Sequence, residues 1–203
     1  MRTGDQVNLE ILDKQMIQWG TKLRDDIKIL PKFTNTLATT ITSEITVLSD
    51  ESKRSITASS PIDIAKRKEE LIAFQGWMDF ARVVQNIPFV TRAQIITEIY
   101  ICFVYLGESW FKLISKNMDT NSVTKKCCKY LTDNPIRAFR NAIAHANWKY
   151  KSDFSAIEFW ARKGQDENEP LSQFTISQGD LDFSQSLARC VAYASFLGLM
   201  EPN

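Results

Sequence analysis

Apolar residues along this chain recur mostly at steps of three and four, the spacing that lays one stripe along an α-helix. Leu9, Leu12, Met16, Trp19, Leu23, Ile27 and Leu30 predict an amphipathic helix over residues 5–30, with Pro31 ending it or starting the next turn. Leu37, Ile41, Ile45 and Leu48 repeat the spacing, but the threonines among them argue against an uninterrupted helix. Residues 52–60 carry four serines with Lys53 and Arg54 and read as an exposed loop. Ser60-Pro61 pairs an N-cap with a first-turn proline and predicts a helix to about Gln85. After Asn86-Ile87-Pro88, Thr91-x-x-Gln94 resembles a capping box for the longest helix, residues 91–116. That helix is apolar almost all round from Ile95 to Leu106, so it is expected to be the most buried element.

Residues 122–132 predict a shorter helix bearing Lys125, Lys126 and Lys129, and Asn134-Pro135 starts another through about Ala146. The period then changes to two. Residues 156–161 and 171–176 predict strands around an acidic loop, 165–170, and Ser177 or Asp180 caps a last helix striped by Leu181, Leu187, Val191 and Leu197. The expected fold is all-α: a helical bundle with a small β-hairpin, about 156–176, inserted before the final helix. Residues 1–90 are expected as an N-terminal helical extension packing on a core formed by 91–203.

Composition narrows the classes of function. Gly and Pro number only 7 and 6 in 203 residues, which suits long helices with few turns. The 25 basic and 24 acidic residues leave a formal net charge of +1, so no global field draws the chain to nucleic acid or acidic lipid. The longest uncharged apolar run, 99–107, is far short of the roughly 20 residues that span a membrane. Met1 to Gln6 lacks a secretory pattern, and Cys102, Cys127, Cys128 and Cys190 have no metal-binding spacing. Reduced thiols, a cytoplasmic location and no metal or other cofactor are the expectations. His145 is the sole histidine, which rules out any mechanism needing two from one chain.

Charge is uneven. Between Lys116 and Lys151 stand eight basic residues against Asp119 and Asp133, a local net of +6. Within this stretch, a helical wheel gathers Ile136, Phe139 and Ile143 on one side and Arg137, Arg140, Asn141 and His145 on the other, with small Ala144 between. Arginine offers forked donors to phosphate oxygens, and imidazole moves a proton near neutral pH. Those are the tools of metal-free phosphodiester cleavage. A lone histidine at a helix end also serves simply to meet carbonyls or the helix dipole, and Arg140 can equally lock the bundle.

Residues 139–147, Phe-Arg-Asn-Ala-Ile-Ala-His-Ala-Asn, resemble the signature of HEPN domains: an Arg, a polar residue, a short spacer and a His on a bundle helix. Here the spacer between Arg140 and His145 is four residues and Asn141 holds the polar position. The resemblance covers about residues 91–199. It implies a metal-independent endoribonuclease acting on single-stranded RNA, or an inactive relative that binds RNA, nucleotides or proteins. It further implies a homodimer with a composite site across the two-fold axis and products with 2′,3′-cyclic phosphate and 5′-hydroxyl ends. His145 would move protons, Arg140 would stabilise charge on the phosphate, and Asn141 would orient His145 or a phosphate. By the same analogy a toxin or defence role and a nucleotidyltransferase-type antitoxin partner follow.

Arg137 lies in the same sector and suits an RNA backbone contact. Lys149 and Trp148 suit RNA binding just beyond it, although aromatics before a hairpin commonly pack beneath it. Glu108 interrupts the long apolar helix, and the pattern favours its marking the point where that helix emerges over its being a buried partner for Arg140. Trp19, Trp77, Trp110 and Trp160 are assigned to packing.

Overall fold

The computed structural model describes residues 29–59, 63–83, 96–133, 136–152, 155–162 and 168–200. The expected helix over 5–30, the Ser60-Pro61 and Asn134-Pro135 caps, the Asn86-Ile87-Pro88 break, the Thr91-x-x-Gln94 box and much of the acidic loop lie outside them, as do the side chains of Trp19 and Trp77. The described residues form a mostly helical bundle with a small antiparallel sheet before the last helix.

Helix α1 (Ile29–Thr46) runs uninterrupted in spite of its threonines. Their hydroxyls bond back along the helix: Thr39 donates to the Asn35 carbonyl at 3.0 Å, Thr40 to Thr36 at 3.0 Å and Thr46 to Thr42 at 2.8 Å. Leu37, Ile41 and Ile45 are fully buried, and that tertiary burial outweighs weak intrinsic propensity. Pro31 falls in the first turn, where its missing N–H breaks no helical bond.

The expected loop over 52–60 is instead helix α2 (Asp50–Ser59). Asp50 and Glu51 place negative charge in the first turn, the Ser49 hydroxyl accepts the Ser52 amide at 3.2 Å, and Ile56 is wholly buried. A capped, acidic N-terminus and one apolar anchor outweigh a polar composition. Helix α3 (Ile64–Val83) follows Asp63, whose carboxylate accepts the Ala65 and Lys66 amides at 2.9 and 3.3 Å.

The long helix expected over 91–116 is broken. Residues 96–99 are α-helical, Tyr100–Tyr105 form a π-helical turn, and α4 (Gly107–Asn117) restarts after Leu106 with Gly107 at φ +64°. Only glycine takes that left-handed conformation without steric cost. Nor is this stretch buried all round: Ile99, Cys102, Phe103 and Leu106 face the core, while Ile96, Tyr100 and Tyr105 are exposed. The Tyr105 hydroxyl donates to Glu70, and the Arg67 guanidinium lies 3.4 Å over its ring centre, so α3 holds the π-turn.

Helix α5 (Val123–Thr132) is capped twice. Its own Ser122 accepts the Lys125 amide at 3.1 Å, and Glu44 of α1 accepts the Val123 and Thr124 amides at 2.9 and 2.8 Å. A carboxylate from another helix thereby meets orphan donors at the positive end of α5. Helix α6 (Ile136–Ala144) follows. The sheet has three antiparallel strands in the order β1 (Trp148–Tyr150), β2 (Ala156–Ala161), β3 (Ser172–Ser177). The predicted hairpin is β2–β3, with Phe159 opposite Phe174; β1 adds a short edge strand that alternation over three residues does not reveal. Helix α7 (Gln178–Met200) follows the sheet, with Ser177 as its cap through the Asp180 amide at 3.2 Å.

One continuous core joins these elements, with Leu37, Ile41 and Ile45 of α1 in the same cluster as Leu187 and Val191 of α7. Phe139 of α6 sits edge-on to Phe103 at 5.3 Å and to Phe159 at 5.1 Å, clamping α6 between the π-turn and the sheet. No helix among the described residues is long and apolar enough to cross a membrane. Helices α1 and α7 approach closely at Gly198, where a Cβ would lie 2.7 Å from Ile45 Cβ and 2.8 Å from the Thr42 carbonyl. Gly198→Ala is therefore expected to lower stability by roughly 1–3 kcal/mol. Gly76→Ala, with nothing within 4 Å, should leave the thermal midpoint unchanged or raise it, and the pair of melting curves checks both.

Candidate functional site

The apolar face of α6 is as its spacing predicts. Ile136, Ala138, Phe139, Ala142 and Ile143 are buried, while Arg137 and Arg140 are half-buried and Asn141 and Ala144 exposed. The helix stops two residues short of the expected Ala146. The Ala146 amide donates to the Ile143 carbonyl at 3.2 Å and the Asn147 amide to Ala142 at 2.8 Å, with Ala146 at φ 57°. This is a Schellman closure, and it makes His145 the C-cap. An alanine in left-handed backbone costs about 1–2 kcal/mol, which the surrounding structure must hold in place. The Trp160 amide helps by donating to the Asn147 carbonyl at 2.9 Å, tying the turn to β2. His145 thus has a fixed backbone and an exposed side chain.

Glu108 organises the arginines. It is only 9% exposed and lies in the first turn of α4, and its Oε2 pairs with Nη2 of Arg140. Its Oε1 pairs with Nζ of Lys112, and Nε of Arg137 lies 3.6 Å away. Nη2 of Arg140 also donates to Oδ1 of Asn141 at 2.7 Å. The expectation that Glu108 marks an emerging helix is therefore corrected: it is the buried partner of Arg140. The break at Gly107, which apolar spacing cannot register, restarts the helix and sets Glu108 against α6. Lys112 is missed by the sequence reading altogether, although Glu108 and Lys112 stand at i and i+4 on one helix, the spacing of an ion pair.

The electrostatics follow from this arrangement. Burial alone raises the Glu108 carboxyl, but the Lys112 hydrogen bond and the charges of Arg140, Lys112 and Arg137 outweigh it and hold the group below the usual carboxylate range. Burial draws Arg140 below its ordinary value against the opposing pull of Glu108. Three cations share one carboxylate, an excess of two positive charges.

The remaining predicted residues do not join this cluster. Lys149 on β1 pairs with its cross-strand neighbour Glu158 at 3.3 Å and lies 5.5 Å from the Trp160 ring centre. Trp148 is half-buried against the core and edge-on to Tyr150 at 5.4 Å. The four cysteines are buried free thiols, and burial pushes Cys102 and Cys190 up to about 12 and raises Cys128 further. Cys102, Cys128 and Cys190 are therefore held in the thiol form, which is a poor nucleophile. Among the described residues no group of three His, Cys, Asp or Glu is placed to hold a metal.

Glu108→Gln is expected to destabilise the protein by about 1–3 kcal/mol at neutral pH. A carboxyl whose folded pKa is depressed contributes stability above its unfolded value, near 4.3, and loses it as pH falls through the folded value. The gap between wild type and Glu108→Gln should therefore narrow in denaturant titrations carried from pH 7 toward about pH 2.5. A gap of constant size would show that Glu108 is not an ionised hub.

Comparison with protein-family models, curated proteins and solved structures gives no match to this chain.

Proposed function

We propose that this chain is a metal-independent endoribonuclease of the HEPN type, cutting single-stranded RNA as a homodimer. The observation that carries this reading is the arrangement on α6. Arg140 is held on a buried carboxylate with its side chain still 22% exposed, and the sole imidazole is exposed on the locked C-cap of the same helix. An ideal helix separates Arg140 and His145 by about 140° in azimuth, so a second protomer across a two-fold axis pairs them more readily than one chain does.

In this mechanism the ribose 2′-oxygen attacks phosphorus and the bond to the 5′-oxygen breaks, leaving a 2′,3′-cyclic phosphate and a 5′-hydroxyl. His145 accepts the 2′-hydroxyl proton or donates one to the departing 5′-oxygen. Arg140 stabilises charge gathering on the non-bridging oxygens. Asn141, whose Oδ1 accepts from Arg140, steadies that guanidinium and keeps its Nδ2 donors for a phosphate oxygen. Arg137 contacts the adjoining backbone, and Lys149 and Trp148 flank the path. The cytoplasm, a toxin or defence role and a nucleotidyltransferase-type antitoxin belong to this proposal by family analogy.

A second reading has an observation of its own. Arg140 is already engaged by Glu108, as an arginine that locks a bundle would be, and this fits a catalytically inactive HEPN-like module that binds RNA or another protein.

Metal-free incubation with mixed-sequence single-stranded RNA separates the two. His145→Ala and Arg140→Lys are each expected to slow cleavage by about 10²–10³-fold while the dimer persists, with cyclic-phosphate ends on the wild-type products. Full cleavage by both variants overturns the nuclease. No cleavage by wild type, with altered dimerisation or partner binding in the variants, favours the module.

A further inference from the structure

Beside α6 the positive charges are layered over the negative one. The Glu108 side chain is 9% exposed, whereas those of Arg140, Arg137 and Lys112 are 22%, 33% and 57% exposed. Like charges brought this close repel unless an anion joins them, and the buried carboxylate neutralises only one of three. The excess faces solvent and spans two helices, α4 and α6. Its chemistry is also mixed. The two guanidiniums present planar forks suited to phosphate oxygens, and Lys112 presents a mobile point charge on a long stem. A phosphodiester carries one negative charge, so two successive phosphates of a single strand match the excess of two.

We infer that Lys112 and Arg137 bind the RNA phosphate next to the one held by Arg140, and that Glu108 is the positioning residue that spaces the three cations for this. The inference rests on the ribonuclease reading for its ligand, a single-stranded RNA backbone. Lys112 comes from α4, so the bound strand crosses from the motif helix onto α4. Specificity is not expected from these contacts, because backbone phosphates position a strand without reading its bases.

The test uses the full chain with His145→Ala in the background, so that RNA stays intact, and follows binding of a fluorescent unstructured 12-nucleotide RNA by anisotropy at rising salt. Each phosphate contact on a single strand contributes about 0.7 to the log–log salt slope. Lys112→Ala should lower the slope by about that amount and weaken binding about five-fold near 0.1 M salt. Lys112→Met, which keeps the aliphatic stem, should do the same; Lys126→Ala on α5 should leave the slope unchanged. Glu108→Gln removes a negative charge, so charge alone would tighten binding. Lost spacing should weaken it instead. An unchanged slope in Lys112→Ala, an equal drop in Lys126→Ala, no RNA binding, or tighter binding by Glu108→Gln overturns the inference. Cleavage by wild type beside His145→Ala is read separately, so failure of the nuclease reading is distinct from failure of this one.

Discussion

The polar cluster beside α6 depends on one buried carboxylate. Glu108 draws Arg140, Arg137 and Lys112 together from two helices, and its Oε2 holds the Arg140 guanidinium. Such a carboxylate is costly to desolvate and is held there only because cations surround it. The arrangement is mutual: without Glu108, three positive charges would repel; without them, Glu108 would be a buried unpaired anion.

What brings Glu108 to α6 is a backbone event. The π-helical turn at Tyr100–Tyr105 and the left-handed Gly107 break the preceding helix, and α4 restarts with Glu108 in its first turn. A similar device ends α6. Ala146 takes a left-handed φ, the helix closes at His145, and the chain enters β1. The placement of Glu108 and of His145 is thus set by local departures from regular helix, each held by packing and hydrogen bonds outside it.

The rest of the bundle supplies the rigidity. Phe139 anchors α6 between Phe103 and Phe159, so its polar face has one orientation. Glu44 reaches from α1 to the start of α5, and Gly198 lets α7 approach α1 closely. Residues 29–59 share the core with the helices that follow, so the segment before the motif-bearing part of the chain contributes directly to holding it.

Side-chain periodicity together with capping residues determined the last three helices, the hairpin and the apolar face of α6, because burial of one stripe is a local rule that any amphipathic segment must obey. It also singled out Arg140, Asn141 and His145 as one polar sector. Elements decided by few residues were illegible: α2 depends on one buried isoleucine and an acidic first turn, and β1 on three residues that pair only once β2 is present. The pairing of Glu108 with Arg140 was the less favoured of two readings of the sequence. Glu108 lies 32 positions earlier, and its burial follows from where a glycine breaks a helix and how two helices then pack. Sequence by itself determined which side chains share the polar side of α6, since residue identity and spacing along one helix are local. Only the tertiary structure decided which charges meet, because ion pairing depends on distances through space that the chain's order does not encode.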